Sequence, residues 1–451
     1  MLEKIFTRFT HWRFLVILVG FISIGIVLLL YLIAGMPEPT LKLTEGGQVG
    51  ALGPLIVKFR HPVLSAEVED YLSLEPAVAG AWTWNGNQAT FRPQTAFQLG
   101  ERYTLRLNNG AKDETGRSLK TGVTWSFTIR AADIAYLGQT ASQPEVWLAD
   151  SAGTIRRPLT ETGGKVLDFA IYPSGEDVVY SSTNAQGGAD LWAVDRNGEN
   201  HTHLLDCGTD SCVQPSVAPD ETAVIFSRQS QSSPQGEIWL LDLTTGKAEA
   251  LYPDQKISGI DPNWSPQGHY LQFYDPDFAQ IRVLDLITNR VILIPTDQHA
   301  IGSWSPDGQK LLFTRAESSE IGLPYVRIYV ADLPTGDIRP LQEADLGQVD
   351  SSLPVYSPDG KSLIMAVRGL AGSTNKQLWL IPLDGSANQP ITEDPGASFA
   401  AYKWDPNGDQ LVFQRLQLQT SQSRPQVMVW LRESGVLKVV AEDAARPQWL
   451  P

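Results

Sequence analysis

The chain has 451 residues, is 42% hydrophobic and 19% charged, and carries a formal net charge of −15, the balance of a globular rather than a disordered protein. Lys4, Arg8 and Arg13 against Glu3 make the first 36 residues net +2 and leave −17 on the rest. So acidic a body argues against nucleic acid as a partner, because phosphate binding needs a basic surface; solubility and self-avoidance are its plainest use.

Residues 14–34 contain no charge. As a helix rising 1.5 Å per residue they cover about 30 Å, the hydrocarbon thickness of a bilayer. Basic residues precede the run, and only Lys42 follows within twenty residues, so the positive-inside rule predicts a cytoplasmic tail at 1–13, a single-pass anchor at 14–34 and an extracytoplasmic body. A cleaved signal peptide fits less well. Its apolar core is shorter, and the small-residue cleavage site is absent here. Met36-Pro-Glu-Pro39 then ends the helix as a stiff spacer.

Between 40 and 130 short apolar runs alternate with turn residues. Tyr103, Leu105 and Leu107 share one face of a predicted strand, as do Val123, Trp125, Phe127 and Ile129. Asn85-Gly86 predicts a hairpin, and Asp113-Glu-Thr-Gly116 a turn. Such strands fit a small β-sandwich. Phe59-Arg-His-Pro-Val63, the run from Trp84 to Pro93, Tyr103-Thr-Leu-Arg-Leu107 and Asp113 to Leu119 also resemble the bacterial Ig-like domains of the S-layer (SbsA) type. That resemblance implies a spacer or adhesion module.

From 131 to 451 one phrase recurs. Trp304-Ser-Pro-Asp-Gly308 is repeated as Trp264-Ser-Pro-Gln-Gly268, Tyr356-Ser-Pro-Asp-Gly360 and Trp404-Asp-Pro-Asn-Gly408, with worn copies at Ile171 and Val217 and an opening at Trp449. Its prolines, 173, 219, 266, 306, 358, 406 and 451, are 40 to 52 residues apart, the spacing of propeller blades. Proline fixes φ, Asp or Asn closes the turn and Gly accepts positive φ, so the phrase reads as a reversal between strands a and b of a four-stranded blade. Strand c is marked by Trp147, Trp192, Trp239, Arg282, Tyr329, Trp379 and Met428. Flat aromatics at one place per blade read as core. Residues 134–160 supply strands b, c and d without an a, and Arg446–Pro451 supply an a alone. The expectation is an all-β chain: an N-terminal transmembrane helix, an Ig-like sandwich and a seven-bladed propeller with a split closing blade. The repeat phrase, with the "I-W-x-x-D-x-x-x-G" pattern after it, resembles the TolB-like propellers, which serve as binding platforms and as regulatory domains of peptidases.

In this reading the a–b and c–d turns are short and share one face. The b–c and d–a loops, including 181–190, 229–236, 317–325, 369–376, 416–425 and 206–214, are long and form the candidate binding face. The position just past strand b holds Arg228, Arg315, Arg368 and Arg415 in four blades. Arginine's planar fork suits carboxylate or phosphate, so these are candidate binding residues; ion pairing with acids of the d–a loops is the alternative. Cys207 and Cys212, a C-x4-C pair, predict a local disulfide outside the cytoplasm, not a zinc site. His201 and His203 have no third ligand, no G-x-S-x-G phrase occurs, and no metal or cofactor is expected. The functional expectation is a membrane-anchored, extracytoplasmic binding or scaffold protein with a protein or envelope-polymer partner, rather than an enzyme. A propeller-type hydrolase or lyase acting on extracellular polymers is the alternative.

Overall fold

The structure is a computed structural model and describes residues 22–26, 36–42, 47–139, 143–298, 300–318, 324–341, 346, 350–369, 375–418 and 424–451. The predicted tail at 1–13 and most of the predicted anchor at 14–34 lie outside them; residues 22–26 are helical. Among the described residues no helix is long and apolar enough to cross a membrane.

The chain divides into two compact units, with the main division in sequence between Ile129 and Arg130. The first is a sandwich of two four-stranded sheets. One is ordered Thr40–Lys42, Leu55–Lys58, Gln88–Pro93, Gly80–Asn85, and the other Gln48–Val49, Val123–Ile129, Arg102–Leu107, Leu72–Glu75. The alternation read from the sequence is its cause. Tyr103, Leu105, Leu107, Phe127 and Ile129 all face the core and are at most 4% exposed. The Asn85-Gly86 hairpin forms, with Asn85 opposite Gln88 and Gly86 at φ +57°. The Asp113 turn is closed by a buried ion pair. Asp113 accepts from the Thr115 and Arg117 N–H groups (both 3.0 Å), and the Arg117 guanidinium lies 2.7 Å away. Burial pushes the Asp113 carboxyl up, but the hydrogen bonds from Thr115 and Arg117 win and hold it below its ordinary value. A short helix, Ser65–Glu69, has no counterpart in the sequence reading.

The second unit is made of sheets of antiparallel strands, most of them in sequence order, with one parallel bridge between Ala189–Asp195 and Ser211–Val217, a β-propeller architecture. Typical is the sheet Ile260–Trp264, Tyr270–Asp275, Gln280–Asp285, Val291–Pro295, in which each strand pairs with the next. The recurring phrase makes the first turn in the way its residues dictate. Ser305 Oγ accepts from the Lys310 N–H (2.9 Å), Asp307 Oδ1 accepts from the Gln309 N–H (3.0 Å), and Gly308 takes φ +65°. Ser357, Asp359 and Gly360 repeat this geometry. Where Asp405 replaces the serine, its Oδ1 accepts the Gln410 N–H in the same way.

In three copies the phrase's tryptophan then joins its sheet to the preceding one, whereas Trp404 Nε1 is buried without a hydrogen-bond partner. Trp264 Nε1 donates to the Ser216 carbonyl (3.3 Å), Trp304 Nε1 to Asn263 Oδ1 (2.8 Å) and Trp449 Nε1 to the Lys403 carbonyl (3.0 Å). Apolar clusters fill the space between neighbouring sheets, as around Trp404, Phe413 and Trp430. Trp404 and Trp449 are buried, whereas Trp147, Trp192, Trp239, Trp264, Trp304, Tyr329, Tyr356 and Trp379 are partly buried and pack against the edges of these clusters, so the repeat's aromatics are packing residues but most are not fully in the core.

Ala444–Leu450 pairs antiparallel with Asp133–Gly138, in a sheet completed by Glu145–Ala149 and Arg156–Pro158. The two ends of the unit thus share one sheet. A charged clasp secures it: the Arg130 and Arg196 side chains both donate to the Pro451 backbone oxygen (2.9 Å each), and Arg196 pairs with Asp133 (2.6 Å).

Candidate binding site on the propeller axis

At five junctions the first strand of a propeller sheet lies against the first strand of its neighbour: Val166–Ile171 against Ser211–Val217 and Ala444–Leu450, Ser211–Val217 against Ile260–Trp264, Ser303–Trp304 against Val355–Tyr356, and Ala397–Trp404 against Ala444–Leu450; the first strands are therefore the inner ones. Counting back from the phrase's aromatic position, the third residue before it is Asp168, Gln214, Asp261, Ile301, Leu353, Ala401 and Arg446 in successive sheets. At Gln214, Asp261, Ala401 and Arg446 the pairing register slips and φ is +50° to +56°. A bulge of this kind turns a side chain out of the ladder; here that side is the axis. No glycine is used, so each residue bears the cost of the left-handed region.

These residues are coupled across sheets. The Gln214 N–H donates to Asp168 Oδ2 (2.7 Å), Gln214 Nε2 donates to Asp261 Oδ1 (2.5 Å), and the Asp261 N–H donates to Gln214 Oε1 (3.0 Å). Arg446 Nη1 donates to the Leu167 carbonyl (3.3 Å). Asp168 Oδ1 is shut off from solvent without a hydrogen-bond partner. Burial pushes the Asp168 carboxyl up to about 6, against the Gln214 N–H and Arg446, which lower it. Asp261 is raised too, chiefly by burial.

One step before the aromatic the row reads Ala170, Ser216, Asn263, Ser303, Val355, Lys403 and Gln448. Lys403 is its one ionisable side chain. It is open to solvent, yet burial lowers its pKa and is the sole cause of that shift. Among the described residues it has no ion pair or side-chain hydrogen bond.

The four candidate arginines lie elsewhere, at the ends of second strands. Arg228 pairs with Asp210 (2.8 Å) and lies over the Trp239 ring; Arg368 pairs with Asp350 (3.3 Å); Arg415 pairs with Asp394 and donates to Gln426 Oε1 (2.7 Å). Each acid lies in or next to the loop entering the arginine's own sheet. Arg315 donates to the Pro295 carbonyl (2.9 Å) and covers Phe313 and Tyr329. Their charges are thus largely balanced locally, with Arg368 the most open at 54%. Parts of the long loops beside them, 319–323, 370–374 and 419–423, lie outside the described residues.

Cys207 and Cys212 are joined in a disulfide, Cα–Cα 6.3 Å. It lies where strands Ala189–Asp195 and Ser211–Val217 of neighbouring sheets meet. His203 pairs with Asp190 (3.2 Å) over Trp192, whereas His201 contacts the Tyr180 hydroxyl (3.3 Å), so the two histidines serve different partners. A cavity of about 330 Å³ lies on the opposite, short-turn face, among Asp307, Lys310, Arg339 and Asp359. Among the described residues no group of three or more His, Cys, Asp or Glu is placed to hold a metal ion.

A sequence model of the TolB beta propeller domain matches residues 98–328, just over half of the chain. The chain belongs to the TolB beta propeller domain family. A model of the bacterial Ig-like domain matches residues 49–129 of this TolB-type chain. Among solved structures it is similar to TolB from Acinetobacter baumannii (20% identity over 70% of this chain and 82% of that one, TM-score 0.42). It is also similar to the β-propeller domain of the Trilobed protease from Pyrococcus furiosus (11%, 76% and 93%, TM-score 0.47). A third is an oligogalacturonate lyase in complex with manganese (18%, 62% and 74%, TM-score 0.43). Those proteins' activities are theirs.

Proposed function

We propose that this is a membrane-anchored, extracytoplasmic binding or scaffold protein, in which an Ig-like module carries a seven-bladed propeller whose axis and long-loop face receive a partner. One observation carries the reading. The first strands spend four left-handed, non-glycine residues at one repeated position, where Asp168, Gln214 and Asp261 are linked across sheets, and Lys403 two residues farther along its strand is exposed without an ion pair among the described residues. Unspent polar groups held in fixed, strained positions are characteristic of binding sites. The Cys207–Cys212 disulfide supports a place outside the cytoplasm, and the uncharged run at 14–34 supports the anchor.

The test is affinity capture of the intact protein from gently solubilised membranes. The binding reading expects one partner, protein or envelope polymer, recovered in fixed proportion. Replacing Arg228, Arg315, Arg368 and Arg415 together with Gln asks whether the loop face takes part: lost capture supports an anionic partner there, and unchanged capture removes the arginines from the site.

A hydrolase or lyase acting on extracellular polymers draws on a different observation. Asp168, with a carboxyl pushed up to about 6, is poised as general acids and bases are. Polymer cleavage abolished by Asp168→Asn in a folded protein would favour that reading.

A further inference from the structure

We propose that the cleft between two neighbouring propeller sheets on the short-turn face binds a small aromatic carboxylate, its ring against Tyr356 and its acid group at Lys310 and Arg339. The inference is independent of the partner-binding face proposed above, and neither depends on the other.

The cleft, about 330 Å³, lies between the sheet Ser303–Trp304, Lys310–Ser318, Pro324–Asp332, Ile338–Pro340 and the sheet after it, which contains Val355–Tyr356 and Ser362–Arg368. The junction one step back shows why it is open, because the repeat supplies the same positions there. At that junction Tyr270 stacks on Trp304, ring centroids 6.3 Å apart, and Ile292 packs against the same cluster. Tyr270 is six residues after Trp264, as Lys310 is after Trp304. Ile292 lies opposite Val283, and Val283 opposite Gln272; in the next sheet Arg339 lies opposite Val330, and Val330 opposite Leu312. Lys310 and Arg339 therefore stand where Tyr270 and Ile292 stood. The aromatic that faces them is Tyr356 in place of Trp304. Two packing side chains have been exchanged for long cations that carry their charge out to water, and an indole for a smaller ring. The space filled at one junction is a cavity at the other.

The exchange sets the chemistry. Val330, Leu341, Leu383 and the Tyr356 ring line the cleft as an apolar floor and belong to, or pack against, one cluster. An apolar cavity of about 150 Å³ holds a benzene ring, so this one has room for a ring and a short acid tail. Lys310 is exposed, and among the described residues it has no ion pair or side-chain hydrogen bond. Arg339 touches the Pro340 carbonyl at 3.4 Å, and its planar fork suits a carboxylate. The acids nearby are engaged by their own turns. Asp307 Oδ1 accepts from the Ser305 hydroxyl and the Gln309 N–H, and Asp359 Oδ1 from the Ser357 hydroxyl and the Lys361 N–H. Asp332, opposite Lys310 on the third strand, accepts from the Thr335 N–H (3.1 Å) and hydroxyl (2.7 Å). The charge left to be answered is thus Lys310's, and an anion answers it.

The test is isothermal titration of the full chain with 3-phenylpropionate, 3-phenylpropanol and 3-phenylpropylamine at equal ionic strength and pH 7. The expected result is binding of the acid roughly tenfold or more tighter than of the alcohol or the amine, the worth of one charge-assisted hydrogen bond. The triple variant Lys310→Tyr, Arg339→Ile, Tyr356→Trp copies the closed junction. It should bind none of the probes while its thermal midpoint stays at or above that of the wild type, so that lost binding is not lost folding. Lys310→Gln changes an exposed side chain and keeps the test decisive if the triple variant does not fold: it should lose most of the preference for the acid over the alcohol. Equal binding of the three probes, tightest binding of the amine, no binding of any, undiminished binding by a folded triple variant, or an undiminished acid preference in Lys310→Gln overturns the proposal.

Discussion

Asp168 is a carboxyl that folding would rather keep protonated. Its folded pKa of about 6 lies above the unfolded value of about 3.9. The stability it contributes is therefore whole below pH about 4 and is lost as pH rises through about 6. Asp168→Asn, uncharged throughout, should stabilise the propeller relative to wild type at pH 8 by up to about 3 kcal/mol, an upper bound set by the shift. The gain should vanish at pH 4; denaturant titrations at the two values check this, and an equal gain at both contradicts it. Asp113 has the opposite sign. It is 1% exposed and ion-paired with Arg117, so Asp113→Ala strands a buried guanidinium. It should destabilise the Ig-like unit by about 3–5 kcal/mol, read as an earlier unfolding transition of that unit alone. The Asp113 turn was legible because D-x-x-G has a local mechanism. The Asp168 environment was not, because it is built by Gln214 and Arg446, about 46 and 280 residues away in sequence.

The turns and strands of the repeat were legible because each phrase closes on itself. Ser357 is fully buried; its Oγ donates to Asp359 (2.6 Å) and accepts from the Ser362 N–H (3.0 Å). Ser357→Ala should cost about 1–3 kcal/mol by leaving these groups unpaired, measured by chemical denaturation. Thr245→Ala in an exposed turn is the control and should cost little. The axial bulges were not legible, because Gln214, Asp261, Ala401 and Arg446 are not residues that announce positive φ. A signal was nevertheless present: proline follows three of them, at 215, 262 and 447. The arginines illustrate a second limit. Their recurrence at the end of second strands could be read, and so could pairing with acids of the d–a loops, which Arg228, Arg368 and Arg415 adopt; which acid serves each, about 20 residues upstream, could not. The Cys207–Cys212 bond closes the short loop that enters strand Ser211–Val217. Removing it by Cys207→Ser with Cys212→Ser should cost about 2 kcal/mol in the chain-entropy account of a short loop, seen as a lower thermal midpoint that reductant no longer shifts.

At the scale of the molecule, the site depends on closure. The axis is lined on all sides only if Ala444–Leu450 completes the sheet begun by Asp133–Gly138, and Arg446 reaches the acidic row only from that strand. The repeat period and the lone opening phrase at Trp449 foretold this pairing. The Arg130 and Arg196 clasp on Pro451 was not foretold, since neither arginine belongs to a repeated position. Ring closure removes two sheet edges at once, so its loss should be felt by the whole propeller rather than locally. Hydrogen exchange of the intact protein and of a form lacking residues 444–451 measures this directly. Closure predicts that the truncated form loses protection in Asp133–Gly138 and in the first strands around the ring, and no longer binds at the axis. Unchanged protection outside the deleted strand would contradict a ring that depends on its last strand, and with it the axial site.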